Sequence, residues 1–524
     1  AAPGGRFAET AEGYAIDPGS EAHHAELLAR LTARGIAPRD IVLAWGPEHG
    51  TPVALTVTLA RALAASGLAP RLTLVGAGME DVTGGEALDP AAAAVLGLVP
   101  VLPQEVPGLR VRSLDLDPGD LRGLPAALAQ GWDGAHRLAL RGGRLWALGH
   151  DRTPLRAPSG APSPGPVVIA GDLAAGLATA FAEGIRRDWG LPVVLAGHGL
   201  PGAAGPAEGA AARLMAALGD PGSGIELLVC APGDAAGLRA ALDQAEARHG
   251  PLAGVFLTGA MGDVHHADFA DTPAAALERQ AEAIAADAGA LRLAMRGRRA
   301  GFCLVQSSLS VLAGGAGLAG YAAANARIEA ECSLARTEGP TPWQSVQWDA
   351  AATGTLGAAA GLSRLRLLTG DEVWDRSRAI LALPDLARAV VTPADLETRL
   401  REAAIAPPPA SARAERQRPF VAPRDPEEAA VAAVMAELFG LPEVGAEDNF
   451  FELGGHSLMA IQIINRLRRD FAVELPVRAL LYEAPTAAGI AAVIREARAR
   501  AEAEAGTLES LLDGIEAEHR ETAG

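Results

Sequence analysis

The stretch GPVVIAGDLAAGLATAFAEGIRRDWG, residues 165–190, predicts how the central part of the chain folds. Its first half is a short apolar run, typical of a buried strand, and it ends in a glycine-containing turn. Its second half has apolar residues at helical spacing and stops at Gly190, as many helices stop at a glycine. Strand, glycine turn and helix in this order form the repeating unit of a doubly wound α/β sheet. We therefore expect a parallel sheet covered by helices.

The same alternation extends to both sides of this stretch. The later apolar runs that predict further strands of the same sheet are PVVLAGHG, GIELLVCAPG, LAGVFLTGA and RAGFCLVQSS. Segment 20–150 also alternates, with DIVLAWG and RLTLVGAG as strands between helical runs. The sequence thus predicts two related, Rossmann-like α/β subdomains.

The C-terminal part has a different composition. Residues 401–426, REAAIAPPPASARAERQRPFVAPRDP, are rich in proline, alanine and arginine, which is typical of an extended linker. Helical periodicity then continues over residues 427–500 and predicts a small bundle. The predicted segments are a first α/β subdomain at 1–160, a second at 161–402, a linker at 403–426, a four-helix domain at 427–503 and an acidic tail at 504–524. The tail is either a frayed end or a helix that docks a partner.

Composition limits the possible functions. The chain has 524 residues, 49% hydrophobic and 21% charged, so we expect several globular domains. Its net charge of −18 argues against a nucleic acid or an anionic membrane as partner, and no apolar run approaches a membrane span. Three scattered cysteines favour buried thiols in a reducing, cytoplasmic compartment and no metal site. The N-terminus lacks an initiator Met and a signal sequence, so we expect a cut within a longer polypeptide.

The most specific motif is DNFFELGGHSLMAIQIINRL, residues 448–467. Two glycines allow a sharp turn, after which Ser457 would begin a helix with its hydroxyl exposed. A helix N-terminus also favours a phosphodiester. The alternative is that Ser457 is only an N-cap. The motif resembles the attachment site of acyl and peptidyl carrier proteins, and this resemblance implies a 4′-phosphopantetheine arm on Ser457. The residues that carry it are Asp448, Phe450, Phe451, Gly454, Gly455, His456, Ser457 and Leu458.

A second resemblance covers nearly all of the chain before the linker. Residues 165–385, with LVQSSLSVLAGGAGLAGYAAANARIEA and PWQSVQWDAA, resemble the ketoreductase domain of modular polyketide synthases, which has the short-chain dehydrogenase fold. Residues 14–150 resemble the cofactor-free structural half that precedes this domain. The implied fold class is α/β, with two Rossmann-like subdomains followed by an all-α four-helix carrier domain. The implied catalytic residues are Ser308, Tyr321 and Asn325.

The chain departs from this family at the turn that would hold the phosphates of NADPH. The family pattern T-G-x-x-x-G-x-G corresponds to AGDLAAGL, residues 170–177. Gly171 is retained, but Ala175 and Leu177 stand where glycines are expected, so side chains would lie where the backbone must approach phosphate. Asp172 adds a negative charge beside the expected anion.

Three further departures concern the same ligand. His198 stands where the family has the arginine that binds the 2′-phosphate, and imidazole lacks arginine's planar fork. Ala231 replaces an aspartate near the adenine. The family's lysine aligns with Ala286, and the chain contains no lysine at all, so its 45 basic residues are arginines. A nearby cation would bring the tyrosine pKa down from its usual value of about 10.

These features predict a pseudo-ketoreductase that does not bind NADPH, joined to a carrier domain that holds the growing acyl chain on Ser457. Ser308, Tyr321 and Asn325 would then be vestigial. The alternatives are a cofactor-independent epimerase of the α-carbon of β-ketoacyl carriers, a divergent but active NADPH-dependent reductase, and a docking platform for a trans-acting enzyme. The expected partners are ketosynthase and acyltransferase domains, a phosphopantetheinyl transferase, and a downstream synthase or peptide synthetase that binds the C-terminal tail.

Overall fold

The chain forms two compact units in the computed structural model, Ala1–Ala358 with Leu365–Ala406, and Ala359–Arg364 with Pro407–Gly524. The structure describes residues 2–3, 5–11, 13–44, 50–106, 108–132, 136–154, 161–174, 176–200, 214, 216, 224–259, 269, 272–349, 368–404, 420–439, 441, 443–450, 453, 457–471, 473, 475, 480 and 484–499. Within the first unit we call residues 2–154 the N-terminal subdomain and residues 161–404 the central subdomain.

The N-terminal subdomain begins with a small sheet in the order β1-β3-β2 and continues with a five-stranded sheet in the order β4-β5-β6-β7-β8. In the larger sheet β4 to β7 are parallel, and β8 pairs antiparallel with β7. The strands are β1 Ala2–Pro3, β2 Ala8–Thr10, β3 Gly13–Ile16, β4 Asp40–Ala44, β5 Arg71–Gly76, β6 Arg110–Leu116, β7 Arg137–Arg141 and β8 Arg144–Ala147. The helices are α1 Glu21–Ala33, α2 Pro52–Ser66, α3 Pro90–Ala93, α4 Leu98–Glu105 and α5 Leu124–Leu128.

The central subdomain contains a seven-stranded parallel sheet in the order β11-β10-β9-β12-β13-β14-β15. The strands are β9 Val167–Asp172, β10 Val193–His198, β11 Ile225–Val229, β12 Gly254–Thr258, β13 Cys303–Ser308, β14 Trp343–Trp348 and β15 Arg388–Val391. The helices are α6 Gly176–Gly184, α7 Ala235–His249, α8 Ala274–Met295, α9 Ser310–Ala313, α10 Ala319–Glu338, α11 Gly370–Leu381 and α12 Leu396–Ala404. The prediction of two Rossmann-like α/β subdomains is confirmed.

Both faces of the central sheet are covered, as the continuous apolar runs predict. Along β9, Val167 and Ile169 belong to one buried apolar cluster, whereas Val168 and Ala170 belong to another on the opposite face. This alternation follows from the two-residue period of a strand. The sheet is therefore a middle layer between helices.

Small residues let the two subdomains approach closely. A Cβ atom on Gly97 would overlap the carbonyl group of Ala322 in α10. Ala319, Ala322 and Ala323 of that helix share a buried apolar cluster with residues of α2 and α4. Polar contacts add to this packing, because Glu278 of α8 accepts a hydrogen bond of 2.9 Å from the backbone nitrogen of Ala54 in the first turn of α2. One buried apolar cluster thus spans both subdomains.

Buried ion pairs lie in the N-terminal subdomain. Arg137 contacts both carboxylate oxygens of Glu80, at 2.7 and 2.8 Å, and Arg141 contacts Asp115 at 2.5 Å. Burial by itself would raise the pKa of Glu80. The charge and hydrogen bonds of Arg137 outweigh burial, so the pKa of Glu80 lies below its ordinary value. Arg388 of the central subdomain contributes to the same lowering, which brings β15 into this polar region.

The second unit is helical, as predicted. It contains α13 Pro426–Phe439, α14 Ser457–Phe471 and a helical stretch at 487–499. Phe450, Ile464, Leu467 and Ile490 are fully buried in its own apolar cluster. Most of the predicted linker and the whole acidic tail lie outside the described residues. No helix in the described part of the chain is both long enough and apolar enough to cross a membrane.

The Glu80–Arg137 pair generates a stability prediction. Replacing Arg137 with methionine should destabilise the larger unit by about 3–5 kcal/mol, because the carboxylate of Glu80 would stay buried without its partner. The double variant Arg137→Met, Glu80→Gln should be more stable than the single variant. Thermal unfolding of the full chain, followed by calorimetry, measures both effects.

The matched control is Arg152→Met, which removes an arginine with a 90% exposed side chain and should leave the unfolding temperature unchanged. An equal loss of stability to thermal unfolding in Arg137→Met and Arg152→Met would contradict the prediction.

Candidate functional site

The carboxyl ends of the central strands form one edge of the sheet, and the turn after β9 lies at its middle. Gly171 has a φ of +95°, and a Cβ atom there would overlap the carbonyl oxygen of Thr258 in β12. Glycine is therefore required both by the backbone conformation and by the close pairing of the strands. Asp172 follows, and its Oδ1 accepts a hydrogen bond of 2.9 Å from the backbone nitrogen of Ala174. A carboxylate is thus held at this turn.

The structure corrects the expectation for Leu177. Its side chain is fully buried and packs in the apolar cluster that contains Val167, Ile169 and Phe181. The isobutyl group therefore fills the core beneath the turn, because the first turn of α6 directs it toward the sheet, and it does not stand where phosphate would approach. Ala175, the other expected obstacle, lies outside the described residues.

His198 ends β10 and contacts a residue that the sequence analysis did not single out. Its Nε2 lies 2.7 Å from Oδ2 of Asp287 in α8, and Oδ1 of Asp287 accepts a hydrogen bond of 2.9 Å from the backbone nitrogen of Gly233. The side chains of His198 and Asp287 are 24% and 19% exposed. Since 89 residues separate the pair, no local sequence pattern could have predicted it. One carboxylate group therefore joins α8 to the ends of β10 and β11.

Ala231, at the predicted adenine position, is exposed in the turn after β11. The preceding Cys230 is buried, and its backbone nitrogen donates to the carbonyl oxygen of Gly197. A methyl group at position 231 offers no hydrogen-bonding group to a ligand.

Ser308, Tyr321 and Asn325 come together at the same edge, three strands away from His198. Ser308 ends β13 and accepts a hydrogen bond of 3.2 Å from the backbone nitrogen of Ser310. Tyr321 lies in the first turn of α10, and Asn325 lies one turn later, where its Nδ2 donates to the Tyr321 carbonyl oxygen at 2.9 Å. Burial raises the pKa of the Tyr321 hydroxyl, and hydrogen bonds with Ser308 and Asn325 act in the opposite direction.

The N-terminal subdomain holds the loop between Ser308 and Tyr321. Gln104 donates through Nε2 to the carbonyl oxygen of Ala313 at 2.8 Å, and Glu105 accepts from the backbone nitrogen of Gly317 at 2.5 Å. Both side chains come from the C-terminal end of α4. The position of Tyr321 therefore depends on contacts from outside its own sheet.

Helix α8 packs along α10 through apolar side chains, and the chain has no lysine to place between them. Ala286, the aligned position, faces Gly233, because a Cβ atom on Gly233 would lie 3.0 Å from the Ala286 Cβ. Three side chains of α8, those of Leu277, Ala281 and Ile284, pack in the apolar cluster that contains Ala322 and Ala323. Ala286 lies on a different face of α8 from Ile284, because successive residues are rotated by about 100° along a helix.

In the second unit, α14 begins at Ser457, as the carrier motif predicts. The loop before it is anchored on two sides. Asp448 accepts a hydrogen bond of 2.8 Å from the backbone nitrogen of Gly445, and the backbone nitrogen of Phe450 donates to the carbonyl oxygen of Pro485 at 2.7 Å. Residues 454–456 and the side chain of Ser457, including the predicted exposure of its hydroxyl, lie outside the described part. A serine at the first position of a helix fits the attachment of a phosphodiester.

Family profiles match three parts of the chain. Residues 8–148 match the Rossmann fold domain of the polyketide synthase extender module SpnB, residues 175–353 match the KR domain, and residues 429–494 match the phosphopantetheine attachment site. The chain contains a polyketide synthase ketoreductase domain and a phosphopantetheine carrier domain. The carrier domain implies a covalent phosphopantetheine group.

Curated proteins match the chain over very different lengths. The spectinabilin polyketide synthase system protein NorA′ of Streptomyces orinoci is 31% identical over 469 residues, which span 80% of this chain and 12% of that protein. Tyrocidine synthase 3 of Brevibacillus parabrevis is 46% identical over 79 residues, 15% of this chain and 1% of that protein. A linear gramicidin synthase protein of the same organism is 52% identical over 69 residues, 13% of this chain and 1% of that protein. The chain therefore spans only a small part of the curated relatives it matches.

Solved ketoreductase structures resemble the larger unit. A C2-type ketoreductase from a modular polyketide synthase aligns with a TM-score of 0.61 and 25% identity, over 75% of this chain and 87% of that one. An A1-type ketoreductase aligns with a TM-score of 0.59 and 24% identity, over 74% of this chain and 83% of that one. This second similarity supports the fold and carries no conclusion about function.

The surroundings of Tyr321 generate a titration prediction. The Tyr321 hydroxyl should ionise at a higher pH than an ordinary tyrosine, because burial raises its pKa. Ser308→Ala should raise the pKa further, since the hydrogen bond with Ser308 lowers it. Ultraviolet difference absorbance of tyrosinate measures both, with Tyr321→Phe to assign the signal and Tyr14→Phe as the control. A lower pKa in Ser308→Ala would contradict the assigned hydrogen bond.

Proposed function

We propose that the carrier domain holds the growing acyl chain as a thioester on a phosphopantetheine arm at Ser457, and that the ketoreductase domain leaves its β-keto group unreduced. The observation that carries the second statement is the absence of lysine from the chain, together with the burial that raises the pKa of the Tyr321 hydroxyl. The ketoreductase domain would serve as a scaffold of the module.

The state of Tyr321 supports this proposal. A tyrosine that protonates a developing alkoxide works best with a pKa near the working pH, and a nearby cation is the usual way to bring it there. Here burial shifts the pKa of Tyr321 upward. Proton transfer by a well-matched donor contributes on the order of 10²–10⁴ in rate, and a donor whose pKa lies too high loses part of that gain. The residues at the nucleotide edge do not fit a dinucleotide either, since Asp172 and the Asp287–His198 pair lie there.

A second candidate is epimerisation of the α-carbon, and the retained contact between Ser308 and Tyr321 favours it. Hydrogen bonds from these hydroxyls to the β-carbonyl oxygen would stabilise the enolate that forms when a solvent water takes the acidic α-proton. Return of a proton from water to the opposite face of the enolate would then invert the centre without a change in oxidation state. The ketoreductase domain is the part of this chain that resembles a C2-type ketoreductase, at 25% identity. A divergent reductase and a platform that docks a trans-acting enzyme are the third and fourth candidates.

The carrier domain suggests the kind of enzyme that accepts the acyl chain. Its similarity to a linear gramicidin synthase protein and to tyrocidine synthase 3, at 52% and 46% identity, supports a downstream peptide synthetase that attaches the chain to an amine. The ketosynthase and acyltransferase domains that build the chain, and the phosphopantetheinyl transferase that loads the arm, are further proposed partners.

A single assay tests reduction and epimerisation together. The full chain is incubated with an α-methyl-β-ketoacyl pantetheine thioester and NADPH in deuterated water, beside a protein-free control, and the products are analysed by mass spectrometry. We expect no β-hydroxy thioester. Formation of that product at a rate dependent on the protein would overturn the proposal. Faster α-deuterium exchange that is lost in Tyr321→Phe and kept in Tyr14→Phe would establish the epimerase instead of the scaffold.

Loading of the carrier domain is tested separately. Incubation with coenzyme A and a broad-specificity phosphopantetheinyl transferase should add one phosphopantetheine mass to the full chain, because Ser457 begins α14. The Ser457→Ala variant should gain none, whereas Ser308→Ala should gain the same mass as the wild type. Intact-protein mass spectrometry measures the gain. Loading of Ser457→Ala would show that another residue carries the arm.

A further inference from the structure

We propose that Asp287 closes the adenosine half of the nucleotide crevice, with His198 as its partner. The inference rests on the proposed function, because it names the side chain that excludes the dinucleotide from an otherwise retained ketoreductase fold. It assigns this role to a residue that lies on α8 rather than in the glycine turn.

The position of the pair follows from the order of the strands. A doubly wound sheet binds nucleotides at the carboxyl ends of its strands, where the strand order reverses. Here the order reverses at β9, with β10 and β11 on one side and β12 to β15 on the other. The turn after the first strand meets the diphosphate, and the end of the next strand meets the adenosine ribose. His198 occupies that second position at the end of β10.

Asp287 occupies the space between these two positions. Its Oδ2 lies 2.7 Å from Nε2 of His198 and 3.5 Å from the point that a Cβ atom on Gly171 would occupy. Its Oδ1 lies 2.9 Å from the backbone nitrogen of Gly233. One carboxylate thus spans the ends of β9, β10 and β11, and a ribose over this edge would have to displace it.

Electrostatic repulsion disfavours the dinucleotide at this edge in addition to steric blocking. Asp172 supplies a second carboxylate at the turn, and a Cβ atom on Gly199 would overlap its Oδ1, so this group also lies between β9 and β10. The phosphates of NADPH are anions, and like charges a few ångströms apart disfavour binding. The hydrogen bonds from Gly233 and His198 hold the Asp287 carboxylate at this edge, so it cannot turn away without losing both.

Binding to the two halves of the dinucleotide tests the role of Asp287. Isothermal titration of the full chain uses adenosine 2′,5′-bisphosphate, nicotinamide mononucleotide and NADPH as separate probes. The Asp287→Asn variant keeps the shape and hydrogen bonds of the side chain but loses its charge, and it should bind the adenosine probe at least about tenfold more tightly than the wild type. Nicotinamide mononucleotide should show no gain. The matched control, Glu282→Gln, removes an exposed carboxylate from the same helix and should change nothing.

The outcomes separate this inference from the proposed function. Micromolar binding of NADPH by the wild type would overturn both. In a second outcome the wild type does not bind, and Asp287→Asn keeps its unfolding temperature but gains no affinity for the adenosine probe. This outcome would overturn the role of Asp287, whereas the proposal that the β-keto group stays unreduced would be unaffected. An equal gain for nicotinamide mononucleotide would overturn the assignment to the adenosine half. His198→Ala opens the same space from β10 without a change in α8, and it should give a smaller gain because the carboxylate remains.

Discussion

The close contact between Gly97 and Ala322 is the constraint on which the rest of the larger unit depends. Helix α10 can lie against the N-terminal subdomain only because Gly97 has no side chain and the facing residues of α10 are alanines. The helix is thereby buried between two subdomains, and the buried area supplies the driving force that holds them together. Because Tyr321 lies in the first turn of the same helix, this packing also places its hydroxyl at the end of β13.

The carboxyl edge of the central sheet has two parts with different side chains. Over β13, the side chains of Ser308, Tyr321 and Asn325 contact one another. Over β9 and β10 lie the carboxylates of Asp172 and Asp287 and the imidazole of His198. A parallel sheet brings all its carboxyl ends to one edge, so residues that are more than a hundred positions apart in sequence meet at one place in space.

The carrier domain is built on an apolar cluster of its own residues. Phe450, Ile464, Leu467 and Ile490 come from three segments of the second unit and are fully buried together. The hydrogen bond from the backbone nitrogen of Phe450 to the carbonyl oxygen of Pro485 joins residues 443–450 to the segment that precedes the helical stretch at 487–499.

The sequence by itself determined the α/β class, the position of the strands, the start of α14 at Ser457 and the absence of lysine. These features depend on local periodicity, on turn residues and on composition, all of which act over short stretches of chain. Only the tertiary structure decided where Leu177, Ala286 and Asp287 point. Leu177 is buried rather than facing phosphate, Ala286 faces Gly233, and Asp287 meets His198 across 89 residues. The direction of a side chain depends on the rotation of its helix and on the partner against which that helix packs, and neither is encoded in neighbouring residues.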